Sequence, residues 1–238
     1  MAHWRVPGGE EFPPPYPDEV VSFLTFHERG LGYPTHWFLR GLLYEWGLEL
    51  QHLNPTGVLH IAGFVTVYEA FLRMEPHTDL FRLFFSERAM VDWSSVEIAL
   101  VGGFALQRNL RVGGSYPTYI PCDSNWGWHG EWFYIRNPER APFPAFTGGR
   151  PVKQKSWSWG CTHMERHKVE AIEEELQKLV WGGLDRVRVF HTLYRHRVAP
   201  LAERTHPMWK YDGRSDPDRV SPEELPDDEI WSHVSRVL

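Results

Sequence analysis

The sequence predicts a single α+β domain that is mostly α. Its N-terminal part is a helical core, its middle a small antiparallel β segment, and its C-terminal part a set of further helices. Three observations carry that prediction. Residues 16–85 are densely apolar and aromatic, and are broken by Pro or Gly about once per helix length. Residues 91–150 become Gly- and Pro-rich and lose helical periodicity. From Cys161 an amphipathic pattern returns.

Residues 1–15 include Pro13-Pro14-Pro15 and are expected to form a flexible, extended tail. The spacing of Val20, Phe23, Leu24 and His27 predicts a helix from Asp18 to about Arg29, ended by Gly30. After Pro34-Thr35, the stripe Phe38, Leu42 and Trp46 predicts a second helix with Gly47 as its stop. Asn54-Pro55 reads as an N-cap followed by proline in the first helical position, where no N–H is needed. The helix it opens, to about Met74, is apolar almost all round and should be the central element. Pro76 predicts the start of another, with Leu80, Leu83 and Phe84 inward.

Strand character is expected within Val96–Gln107 and again in Glu131–Arg136, where aromatic and β-branched residues lie between turn residues. Residues 137–160 read as loop. Val169, Ile172, Leu176 and Leu179 form one helical stripe, Gly182-Gly183 breaks it, and Leu184–Val198 predicts the next helix. The domain is placed at 16–211, divided into helical 16–90, β/loop 91–160 and helical 161–211. Residues 212–238 read as an acidic tail whose short helix starts at the capping box Ser221-Pro222-Glu223-Glu224.

Composition narrows the function classes. Of 238 residues 42% are apolar, enough for a sizeable core, and twelve are Trp, which bury large areas each. A net charge of −6 argues against a generally basic nucleic-acid coat but leaves room for a local patch. Two cysteines, Cys122 and Cys161, are too few for a disulfide framework and suit a reducing compartment, nuclear or cytoplasmic, although one bridge between them is an open alternative. No leader-type apolar segment and no membrane-length apolar stretch is read from the sequence.

Cys161, His163 and His167 lie within seven residues, and the two imidazoles are one helical turn apart. Cys122 or His129 could complete a tetrahedral metal site. The competing reading is solvated or core histidines at a helix start. The Asp-x35-Glu spacing of transposases and integrases, whose carboxylates hold two metal ions, fails from Asp18, Asp79, Asp92, Asp123 and Asp185. It lands on Asn54, Ser115, Trp128, Trp159 and Ser221. No phosphate loop, nucleophile elbow, cofactor motif, aspartic-protease loop or polymerase signature is present. The remaining candidate is a nucleic-acid contact. Arg150, Lys153, Lys155, Arg166 and Lys168 bracket Trp157 and Trp159, cations for phosphates around rings for bases. A charged face solvating a surface beside buried tryptophans is the competing reading.

Three islands carry a family resemblance: Phe26-His27-Glu28-Arg29-Gly30, Gln51-His52-Leu53-Asn54-Pro55 and Glu75-Pro76-His77. With them the chain resembles the plant gypsy-type transposon domain family. The resemblance extends more weakly to Trp132–Ile135, Pro207–Gly213 and Ser221–Leu225. It implies origin in a long-terminal-repeat retroelement and supplies no catalytic residues to carry over. The expectation is a non-enzymatic, gag-like structural or interaction protein that associates with itself or contacts RNA or single-stranded DNA. The alternative is a DNA-transposition enzyme whose metal-binding carboxylates the sequence spacing hides.

Overall fold

A computed structural model describes residues 4–9, 13–32, 35–91, 97–109, 114–117, 127–137, 142–158, 164–195 and 226–237. Seven α-helices and five strands are present among them, in the α+β, mostly helical arrangement that the sequence predicts. The strands form two antiparallel sheets. One has the order β1-β5-β2, from β1 (Trp4–Arg5), β2 (Glu19–Phe23) and β5 (Trp132–Arg136). The other pairs β3 (Phe85–Ala89) with β4 (Phe104–Arg108).

β2 corrects the first predicted helix. Residues 19–23 are a strand, and α1 is only Leu24–Glu28. Val20, Val21, Ser22 and Phe23 are all buried. A strand covered on both faces reads as a continuous apolar run, which periodicity cannot tell from a helix. Its register pairs Val20 with Ile135 and Phe23 with Trp132. Leu24, expected inward, is exposed.

β1 corrects the reading of residues 1–15 as tail throughout. Trp4 pairs with Ile135 and Arg5 with Tyr134. The Arg5 guanidinium donates to the Glu19 carboxylate at 2.9 and 2.8 Å and lies 3.5 Å from the centroid of the Tyr134 ring. Glu19 holds Arg5 above its ordinary pKa. A two-residue strand is thus held by a forked ion pair and a cation–π contact.

α2 (Trp37–Trp46) buries Phe38, Leu39, Leu42, Leu43 and Trp46, as its stripe predicts. α3 (Pro55–Thr66) runs on through a π-helical turn, Val67–Leu72, that ends at Arg73 in the left-handed region. Every residue of α3 except Thr56 is buried, and it touches α1, β4 and the helix Arg186–Leu193. Pro55–Leu72 reaches membrane-span length at a mean hydropathy of 1.2, which corrects the view that no stretch does, and 78% of it is buried inside the fold. Gly30 lets α1 approach this helix. Its φ is +98°, and a Cβ there would stand 2.8 Å from the Ala62 Cβ.

α4 (Thr78–Phe84) leads directly into β3. α5 (Arg166–Trp181) buries Val169 and Leu176. α6 (Arg186–Leu193) buries Phe190 and Leu193, and the Tyr194 hydroxyl beyond it donates to the Glu28 carbonyl at 2.9 Å. α7 (Asp227–Val237) packs on α6 through Ile230 and Val234, so part of the predicted acidic tail belongs to the core. The capping box at Ser221 lies outside the described residues.

Candidate functional site

Within the three islands His52, Asn54 and His77 close helix ends or turns, and His52 also joins a distant segment. Asn54 Oδ1 accepts the Gly57 N–H at 2.6 Å and caps α3. His77 Nδ1 accepts the Asp79 N–H at 3.2 Å and caps α4. His52 Nδ1 accepts the Glu49 N–H at 3.0 Å, so its Nε2 carries the proton and donates to the Gly149 carbonyl at 2.9 Å. Burial holds the His52 pKa below its ordinary value. His27 meets Ser22 Oγ at 2.9 Å against the Phe133 ring, and burial pushes its pKa down to about 4.

Neighbouring acids play the same part. Glu49 accepts from Gln51 Nε2 at 2.6 Å and from the Thr147 N–H at 2.8 Å, with the Thr147 hydroxyl also bound to it. Asp79, fully buried, accepts the Met164 N–H at 2.6 Å. His36 Nδ1 accepts the Phe38 N–H, which caps α2, and its Nε2–H donates to Glu69 at 2.8 Å deep in the core. Sequence reasoning identified the Asn54 cap, because capping is local. It missed the Glu49–Thr147, Asp79–Met164 and His36–Glu69 contacts, whose partners are far apart in sequence and leave no periodic signal.

The described members of the predicted nucleic-acid set differ in burial and in pairing. Trp157 is 2% exposed, its indole N–H donates to the Trp46 carbonyl at 2.7 Å, and it stands edge-on to Phe104. Its ring is therefore closed to base stacking, which corrects that part of the reading. Trp159 lies outside the described residues. Arg150 pairs with Glu97 at 3.1 Å and donates to the Ile98 carbonyl. Arg166 pairs with Glu170, and Lys168 with Glu165. Lys153 and Lys155 are exposed.

Of the metal candidates, Cys122, Cys161 and His163 lie outside the described residues, as does any Cys122–Cys161 bridge. His167 is exposed beside Glu165, and His129 stands edge-on to Trp128. Among the described residues no group of three or more His, Cys, Asp or Glu converges. Between residues 30–32, α2 and α3 lies an apolar recess of about 20 Å³, lined by Leu39, Val58, Ile61 and Val65 with His36. That is room for about one water, not a substrate.

Residues 20–89 match the family model described as "Putative gypsy type transposon". Over this segment the chain is similar to a gypsy-type transposon-related domain. The match contains all three islands and stops short of the weaker resemblance read onward to Leu225. No curated protein matches the chain. No solved structure matches it.

Proposed function

We propose that this chain is a retrotransposon-derived, non-enzymatic structural or interaction protein, gag-like in character, acting in the nucleus or cytoplasm. It works by presenting surfaces, either to a second copy of itself or to nucleic acid. The observation that supports this reading is how the matched segment spends its polar side chains. His36, His52, Asn54 and His77 cap helices or turns, while Glu49 and Asp79 tie the segment to residues 147 and 164. These groups hold backbone N–H donors in place.

Light scattering on the purified chain, alone and with single-stranded RNA or DNA, tests the reading. A mass above the monomer, or a complex with nucleic acid, is the expected result. A monomer that forms no stable complex with single-stranded RNA or DNA, yet nicks or joins duplex DNA when a divalent cation is added, would overturn it in favour of transposition chemistry.

A further inference from the structure

We propose that the outer face of α2, continued by the Lys153–Lys155 segment, is a binding platform for single-stranded nucleic acid. This rests on the proposed non-enzymatic reading and names the partner and the place. At 100° per residue, Trp37, Arg40 and Tyr44 fall within about 60° of one another around the α2 axis. They form one stripe on the side away from the core, where Trp37 is 42% and Tyr44 55% exposed. Gly41 lies beside the stripe, and a Cβ there would meet nothing within 4 Å, so a ligand has open space between the rings. Arg40 is fixed in the stripe, its Nη1 donating to the Thr35 carbonyl at 2.7 Å.

The platform continues past the helix end. The N–H of Gly47, the left-handed residue that caps the C-terminal end of α2, reaches the Tyr44 carbonyl at 3.2 Å. The Gln154 amide occupies the space where a Gly47 Cβ would stand, and Trp157 ties the same segment to the Trp46 carbonyl. Gln154 is thereby pressed against the end of α2, with exposed Lys153 and Lys155 on either side of it. Along the helix the order is ring, cation, ring over roughly 10 Å, and the two lysines flank Gln154 in sequence at the end of that stripe.

Charge selects the occupant. The single acid in α2, Glu45, is engaged by Arg82 at 2.7 Å, and residues 150–158 contain no Asp or Glu. A chain with net charge −6 therefore carries a local surface of Arg40, Lys153 and Lys155 beside two exposed rings. A polyanion with planar, unpaired bases meets both features. Phosphates take the cations, and bases stack on rings that a duplex would leave unmatched.

The test is anisotropy of labelled oligouridylate and oligothymidylate against the full chain across a salt series, with circular dichroism to confirm folding of each variant. Trp37→Leu and Tyr44→Leu should each weaken binding by about tenfold or more, and Trp37→Phe should restore most of it, because a stacking site needs a ring. Lys153→Ala with Lys155→Ala should lower the salt slope by about 1.4, as two lost phosphate contacts on a single strand require. Lys178→Ala, on the far part of α5, should change neither. Full binding by the two leucine variants, with affinity lost instead in Arg166→Ala and Lys168→Ala, overturns the platform while leaving a nucleic-acid reading in place. Binding of a poly-glutamate peptide but of neither oligonucleotide overturns it in favour of a protein partner. No binding together with a stable oligomer also overturns it and leaves self-association as the function.

Discussion

Replacing Trp157 separates a structural tryptophan from a base-stacking one. In Trp157→Ala, a ring that is 2% exposed and edge-on to Phe104 at 4.7 Å leaves a cavity. Removing a buried aromatic of this kind costs about 3–5 kcal/mol. The indole N–H, 2.7 Å from the Trp46 carbonyl, also satisfies one of the acceptors that the end of α2 leaves open. Trp157→Phe keeps most of the packing and loses that bond, so it should cost about 1–2 kcal/mol. Urea denaturation followed by far-ultraviolet circular dichroism reads both. The midpoints should fall in the order wild type, Phe, Ala, with an unchanged slope. Against a domain stability of about 5–15 kcal/mol, the alanine variant should be partly unfolded or easily unfolded at ambient temperature. A loss below about 1 kcal/mol in Trp157→Ala would refute the packing argument, the more so if nucleic-acid affinity fell while the fold held.

Asp79→Ala removes the acceptor for the Met164 N–H and should cost about 1–3 kcal/mol; hydrogen exchange should show faster amide exchange at the start of α5, and unchanged exchange there would count against the contact. Gly30→Ala must adopt a φ of +98° and bring a methyl to 2.8 Å from Ala62, so a loss of about 2 kcal/mol or more is expected in thermal unfolding. Ile61→Asp places a carboxylate where Ile61 is 3% exposed in the central helix and should unfold the chain; a normal melting curve would deny α3 its central place. Burial holds His27 down to about 4 and His60 to about 3, from an ordinary 6.5. The unfolded chain therefore takes up these protons first, so stability is full above pH 6.5 and falls as pH drops through the window down to those values. The slope should approach about 1.4 kcal/mol per pH unit for each histidine. His60→Leu should reduce that slope in urea titrations at pH 7 and pH 5, and an identical slope would contradict the assignment.

What could be read in the sequence depended on how local the determining interaction is. α2, α3 and β5 follow from side-chain spacing and from Asn54-Pro55, because caps and stripes act within a few residues. β2 was misread because Val20–Phe23 is buried on both faces, and its strand identity comes from pairing with β5 more than a hundred residues later. β1 was hidden for the same reason: nothing near Trp4-Arg5 signals Glu19 or Tyr134 as partners. The candidate surface was half legible. Lys153 and Lys155 are exposed, whereas Trp157, picked out by composition, turns inward because its indole closes the end of α2. Trp37 and Tyr44 belonged to a helix read for its buried stripe, and their outer face is the complement of that stripe.

The most direct test is the mass in solution of the purified chain, with and without single-stranded oligouridylate, measured by light scattering at low and at high salt. Protein–RNA complexes or higher assemblies are expected, with the RNA complex dissolving as salt rises. A monomer at every salt concentration, free of RNA and able to cut DNA with a divalent cation, would contradict the account.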